Sequence, residues 1–301
     1  MSLWRRLIGK KANSQLADDL LNQTADEIDN MAPTNIIVAG KTGSGKSTLI
    51  NGLFRENIAV TGVGQPVTQH LEKLTKEGVP LTLYDTKGLE LSVDAQREVL
   101  SDLSKIIQEN KNDPQDEIHV VYYTLNATMN RIEPYEIELI EALAQQVPVI
   151  LVLTQSISSQ SHEFEDYLKE LDLPVRGIYP VLAQDYLLQG DQIVEAYGLQ
   201  TLVDATMEII PSEAHRAFIN AQQIDIDRKV QSARSWANRY VGTAFGVGFT
   251  PIPVADATVL IPMQITMLAH LTAIFGVSMN KSQILSILAG IGGTGTATIA
   301  G

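Results

Sequence analysis

The 301-residue chain has no cysteine. This excludes disulfides, thiolate-bound metals, prenylation and palmitoylation, each of which needs a sulfur. It also lacks an unbroken apolar stretch at its start. MSLWRRLIGKK is interrupted by polar or charged residues every few positions, unlike the core of a secretory signal. The expected location is the cytoplasm, free or at a membrane surface. Basic charge is scarce too: 22 Lys and Arg stand against 35 Asp and Glu, a net charge of −13. Arg5, Arg6, Lys10 and Lys11 lie in residues 1–12 with no acid, and residues 240–301 hold only Asp256 and Lys281. The middle of the chain therefore carries all the excess negative charge. It would repel a polyanion, whose binding requires its phosphates to be neutralised. Nucleic acid is not an expected partner.

Residues 3–30 place Leu7, Leu16, Leu20, Leu21 and Ile28 at roughly helical spacing with charges between them, so 1–32 reads as an amphipathic helical segment. From 33 to 210 short apolar runs alternate with amphipathic stretches. NIIVAG, VPLTLYD, EIHVVYYTL, VPVILVLT and VRGIYPVL read as buried parallel strands, and AQREVLSDLSKIIQ and EPYEIELIEALAQQ as helices. The expected fold class is α/β, a doubly wound and mostly parallel sheet, closing with a helix at GLQTLVDATMEIIP. Residues 211–301 form a third region, a polar helix over 212–239 followed by almost uncharged sequence rich in Gly, Ala and Thr. The small apolar residues at the very end, with no polar cap, lead us to expect that the natural chain continues past Gly301.

NIIVAGKTGSGKSTLING gives strand, glycine loop and helix. Gly40, Lys41, Thr42, Gly43, Ser44, Gly45, Lys46 and Ser47 match G-x-x-x-x-G-K-S, with Thr48 next. Glycines let the backbone curl so that several N–H groups face phosphates, and the helix N-terminus adds positive potential. Lys46 offers a point charge to the β and γ phosphates, and the Ser47 hydroxyl can ligate Mg²⁺. Asp85-Thr86-Lys87-Gly88 follows at the end of another strand. There Asp85 can hold a Mg²⁺-bound water and the Gly88 N–H can meet the γ-phosphate. Between these stations a mobile segment with one hydroxyl should complete the Mg²⁺ shell. Thr68, after a Gly/Pro-rich hinge and before an alternating run fit for an edge strand, is the better candidate; Thr61 is the other.

GKTGSGKST, PVT, DTKG and the strand-end LTQ, in this order, resemble the translation-factor-class GTPases of the Era-like kind over about residues 34–210. More loosely, PIPVADATVLIPMQITMLAHLTAIFGV is similar to the hydrophobic C-terminal region of unknown function that follows the G domain in some bacterial Era-like proteins. The resemblance implies GTP and GDP as ligands. It also implies that Thr154 supports the phosphate loop, that the Gln155 stem lies along the base, and that the Ala183 N–H meets guanine O6. This sequence departs from the family at three places. Ile157 replaces the aspartate that accepts guanine's two N–H donors, which removes about 1–3 kcal/mol of base readout; Ser156, Ser158, Ser159 and Gln160 are the nearby replacement acceptors. Leu89 stands where a Gln often orients the attacking water. Gly43 replaces the Asn that in some members holds potassium. Lys41 and Lys87 are extra cations beside the phosphates, and Glu90 adjoins Leu89. Arg131 reads first as a solvated loop residue, otherwise as a cation acting within the chain or across a dimer.

The ends suggest a surface. Trp4, Leu7 and Ile8 interleave with four cations, a pattern that lies on anionic lipid or packs onto the rest of the protein. Residues 257–276 run without charge for the length of a bilayer crossing, but contain Pro262, Gln264 and His270. The alternatives are lipid association, spanning, or a buried helical hairpin. Lys46, Thr68 and Gly88 are thus the expected catalytic residues, and Ser47, Thr68 and Asp85 the metal ligands. The expected function is a nucleotide switch with GTPase activity and low turnover. Its rivals are a nucleotide-binding module with negligible hydrolysis and an NTPase with weak base discrimination.

Overall fold

The computed structural model describes residues 18, 22–26, 28–55, 58–86, 93–188, 191–248, 255–277 and 283. Two compact units divide the chain, one over Met31–Ile226 and the other over Met1–Asn30 with Asp227–Gly301.

The first unit is built on a seven-stranded sheet. Its strands are β1 (Thr34–Ala39), β2 (Val63–Pro66), β3 (Leu71–Lys76), β4 (Val79–Thr86), β5 (Val120–Asn126), β6 (Val149–Thr154) and β7 (Ile178–Val181). They lie in the order β2-β3-β4-β1-β5-β6-β7. β4, β1, β5, β6 and β7 are mutually parallel, while at one side β3 pairs antiparallel with β4 and β2 antiparallel with β3. The helices are α1 (Lys46–Leu53), the single turn α2 (Ile58–Thr61), α3 (Val93–Glu109), α4 (Pro134–Ala144), α5 (Ser159–Glu170), α6 (Leu199–Ile209) and α7 (His215–Ala221). Alternation along β1 shows the double winding. Ile36 and Val38 enter one core with Leu49, Leu202 and Phe218, whereas Ile37 and Ala39 enter the other with Leu103, Leu139 and Phe164. All five apolar runs expected to be parallel strands take that role, since burial on both faces demands continuous apolar sequence.

Three elements depart from the sequence reading. β2 occupies the stretch read as a hinge, so the alternating run after Thr68 is an inner strand and not the edge. A small hairpin, β8 (Tyr186–Leu187) with β9 (Ile193–Val194), was not foreseen. The polar helix expected over 212–239 is broken at Gln222–Asp225 between α7 and α8 (Ile226–Gly248). Here side chains compete with the helical ladder: Gln222 Oε1 accepts from the Ile224 and Asp225 N–H groups at 2.7 Å each. Gln223 then caps the end of α1, its Nε2 donating to Asn51 O and Gly52 O and its N–H to Leu53 O.

In the second unit α8 and α9 (Ala255–Phe275) carry a ring cluster. Trp236 stacks on His270 at 4.2 Å between centroids, and the Tyr240 hydroxyl lies 2.6 Å from His270 Nδ1. Gln23 and Thr24 bond to Thr266 and Thr272 of α9. No helix among the described residues is long and apolar enough to cross a membrane. Trp4, Leu7 and Ile8 lie outside the described residues, as do residues 284–301.

At the start of β1 the Asn35 N–H donates to His119 Nδ1 at 3.0 Å. Burial lowers the His119 pKa below its ordinary 6.5, and Nδ1 accepts only while unprotonated. The unfolded chain thus takes up a proton that the folded chain resists. The contribution is complete above about pH 6.5 and is lost as pH falls through that value towards the folded pKa. The urea midpoint is expected to drop between pH 7.5 and 5.5, and to drop less in His119→Gln. An equal drop in both would assign the effect to other groups.

Candidate functional site

The site forms where β1, β4, β5 and β6 end together, since parallel strands bring their C-terminal ends to one edge. β1 leaves the sheet at Ala39, and Gly40 takes φ +143°. A Cβ there would lie 2.2 Å from Thr124 Oγ1 and 2.5 Å from Thr124 O, so the chain can turn against β5 only with glycine. The loop then runs to the N-terminus of α1. Thr42, Gly43, Gly45, Lys46, Ser47, Thr48, Asp85, Thr86 and Gln155 line a cleft of 380 Å³. Several hydroxyls, one carboxylate, the Lys46 ammonium and the start of α1 thus share a small, open space. This is the arrangement the sequence motif requires for a phosphate chain.

Loop carbonyls are held from behind. Lys46 Nζ donates to Gly40 O at 2.8 Å and Lys41 O at 3.1 Å. Thr124 Oγ1 donates to Ala39 O at 3.0 Å and accepts from the Ser44 hydroxyl at 2.6 Å. Thr154, buried at the end of β6, donates to Ser44 O. The Asn126 amide nitrogen reaches Gly43 O at 3.4 Å. Thr124 and Asn126 were missed by motif reading. Their signal was available as two polar residues at the end of an otherwise apolar strand beside the P-loop strand.

Lys41 takes another direction. Its ammonium does not line the cleft; it lies 3.0 Å from Glu136 and 3.8 Å from Glu133, above the Tyr135 ring. Glu136 is only 2% exposed and also accepts from the Tyr123 hydroxyl and the Glu133 N–H. Burial, reinforced by the Glu136 carboxylate, pushes the Tyr123 pKa well above its ordinary range and keeps it a donor. A buried carboxylate outcompetes solvent for the nearest cation. Arg131 is 65% exposed and lies 3.4 Å from Glu133, on the same neighbouring pocket as Lys41.

Thr68 is also absent from the lining of the cleft. Its hydroxyl accepts from the His70 N–H at 3.1 Å within the turn before β3, and His70 Nε2 lies 3.3 Å from Glu98. Lys87, Gly88, Leu89 and Glu90 lie outside the described residues. Gln155 is exposed at φ +54° and accepts from Asn126 Nδ2 at 3.4 Å. Ser156 is buried; its carbonyl accepts from the Tyr197 hydroxyl at 2.6 Å. The Ser158 hydroxyl sits 3.4 Å from that of Ser161. Ala183 packs on α1, where a Cβ on Gly52 would come within 2.7 Å of its carbonyl oxygen.

Residues 35–155 match the family model described as 50S ribosome-binding GTPase. Over these residues the mostly parallel sheet with its flanking helices matches a P-loop GTPase G domain. Septin-12 of Homo sapiens is 26% identical over 179 residues, 50% of this chain and 50% of that protein. Septin-9 of Rattus norvegicus is 28% identical over 148 residues, 40% of this chain and 26% of its own length. A solved structure of a probable GTP-binding protein engB covers 59% of this chain and 98% of its own, with 18% identity and a TM-score of 0.37. The chain thus spans half or less of the curated relatives it matches.

The G domain's donors suit magnesium, which the fold implies. Ser47 and Asp85 present hard oxygens to one cleft, and Mg²⁺ is usually held by one or two protein oxygens together with phosphates and water. Among the described residues no cluster of three His, Asp or Glu forms a self-sufficient metal cage.

Two lysines in one loop should separate by experiment. Lys46→Met is expected to weaken nucleoside triphosphate binding by at least about tenfold, the loss of one charged hydrogen bond. Lys41→Met should act mainly on stability. It lowers the unfolding free energy by about 1–3 kcal/mol, because Glu136 stays buried with one donor fewer. Calorimetric titration and urea melts of both variants check this; similar binding losses in both would return Lys41 to the phosphates.

Proposed function

We propose that the chain binds guanine nucleotides with magnesium and hydrolyses GTP slowly, as a switch whose ends engage a membrane surface or a protein partner. The observation that supports this reading most is the cleft shared by Thr42, Gly43, Gly45, Lys46, Ser47, Thr48 and Asp85. The loop N–H groups and the α1 N-terminus bind the phosphate chain, and Lys46 exchanges loop carbonyls for phosphate oxygens. Magnesium, when bound, supplies positive charge to the phosphate oxygens, with Ser47 and Asp85 as its protein ligands and Thr68 as the third candidate. Thr68 reaches that role only if its turn gives up the His70 N–H, which makes it the element that responds to the terminal phosphate. Leu89 cannot orient water, so turnover is low.

Base choice rests on the Ala183 N–H and on Gln155, since Ile157 accepts no hydrogen bond. Titration calorimetry with GTP, GDP and ATP in Mg²⁺ is expected to give micromolar guanine nucleotide binding. ATP should be weaker, though by less than an aspartate would impose. Equal affinities would leave an NTPase without base choice, and no binding would remove the nucleotide reading altogether. Leu89 also favours the reading of a binding module with negligible hydrolysis. Phosphate release in single turnover separates the two: no release over hours selects the module.

The membrane part of the proposal rests on the cationic, Trp-bearing residues 1–12 and the nearly uncharged residues 240–301. The full chain is expected to co-sediment with anionic vesicles, and more with a non-hydrolysable GTP analogue than with GDP. Absence from the pellet in both states would leave a protein partner or a second copy of the chain as what the ends engage.

A further inference from the structure

Asn126 closes β5 in register with Thr154 at the end of β6, between the phosphate loop and Gln155. Its amide has a defined direction. Oδ1 accepts from the Thr128 N–H at 2.9 Å and the Thr128 hydroxyl at 2.7 Å, capping the short 3-10 turn Ala127–Met129. An amide oxygen is the only end of the side chain that can accept both, so the other end is the NH₂ group. That group lies 3.4 Å from Gly43 O and 3.4 Å from Gln155 Oε1. It has two hydrogens and two acceptors, one on the phosphate loop and one on the side chain that follows β6. Because Gln155 turns its oxygen to Asn126, its Nε2 is left to the cleft that Gln155 lines.

We propose that Asn126 is a positioning residue for nucleotide binding. Its two donated hydrogen bonds fix the neutral Gln155 amide against Gly43, so that Gln155 presents Nε2 to the nucleoside of the bound ligand. The inference rests on the nucleotide reading above and assigns it a residue outside the sequence motif. Gln155 stands at φ +54°, a left-handed conformation that disfavours side chains other than Asn, Asp and Gly. A residue there is held in place by its partners, and its side chain accepts from Asn126. Both bonds are long, as expected of a site whose contacts shorten when ligand fills it. The γ-phosphate is not involved, so diphosphate and triphosphate binding depend on Asn126 equally.

The test is calorimetric titration of the full chain with GDP and with GTP, in Mg²⁺. Asn126→Ser keeps an oxygen able to cap the Thr128 N–H and adds no charge, but it cannot reach Gly43 or Gln155. We expect it to weaken GDP and GTP by the same factor, about tenfold, with an unchanged thermal midpoint. Gln155→Ala, at an exposed position where folding is not at stake, should produce most of the same loss. In the double variant the two losses should not multiply, because both remove one arrangement. A role confined to capping the turn would move the thermal midpoint and leave both affinities within twofold, which overturns the proposal. So does unaltered affinity in Gln155→Ala, or full multiplication in the double variant. Nucleotide binding by the unaltered chain with no effect of the variants sinks this inference alone. No binding by the unaltered chain sinks the nucleotide reading and takes this one with it.

Discussion

A loop can aim its N–H groups at an anion only if its carbonyl oxygens, which face the other way, are satisfied by something else. In this chain that requirement organises everything around residues 39–44. Thr124 takes Ala39 O, Lys46 takes Gly40 O and Lys41 O, Asn126 takes Gly43 O, and Thr154 takes Ser44 O. Three of these four side chains come from the ends of β5 and β6, strands whose apolar bodies form the core of the sheet. The sheet therefore does two things with one set of strands. Its middle residues bury surface, and its last residues hold the loop in shape. The register of the parallel pairs sets how well the loop is held, because Asn126 and Thr154 arrive opposite one another.

Much of this fold can be read from the sequence, because the interior of a doubly wound sheet requires unbroken apolar strands and the amphipathic helices advertise their period. The phosphate loop was equally legible, since its function constrains residues close together in sequence. What could not be read depends on contacts distant in sequence. Lys41 sits in the motif, yet its partner is Glu136, ninety-five positions away and buried; nothing local distinguishes it from a phosphate-facing lysine. Asn126 and Thr124 look like the polar end of a strand until β1 is placed beside β5. The break at Gln222–Asp225 lies inside a good helical period. It arises because Gln222 bonds to backbone N–H groups just ahead while Gln223 meets the end of α1. Helical periodicity is blind to both of these competitors.

Under the proposed guanine-nucleotide reading, the Gln155 end of the cleft shows a different kind of economy. Strong readout of guanine uses a carboxylate, and Ile157 removes it. The serines that follow are not an obvious substitute: Ser156 is buried, with its carbonyl held by Tyr197, and Ser158 faces Ser161. What remains is backbone at Ala183 and a neutral amide at Gln155. Neutral groups cost less to desolvate than a carboxylate, but their hydrogen bonds are weaker and less selective. Such a site can retain affinity through the phosphates while giving up discrimination, because the two depend on opposite ends of the ligand.

The second unit addresses its own polar problem in the same manner. His270 lies in a long apolar helix, where an unsatisfied imidazole would be costly in lipid or in a dry core. Its Nδ1 is within bonding distance of Thr266 O and the Tyr240 hydroxyl, and its ring is covered by Trp236. Lys229, also buried, donates to Ile274 O near the end of α9, where a helix has spare carbonyls and negative potential. Trp236, Tyr240 and Lys229 sit on α8, so the His270 ring and the end of α9 are matched by a second helix. An apolar sequence with such matched interruptions is better suited to a packed helical pair than to a lone span. The scarcity of charge in residues 240–301 is therefore compatible with a buried interface inside the unit, and a membrane role must draw on faces that α8 and α9 do not give to each other.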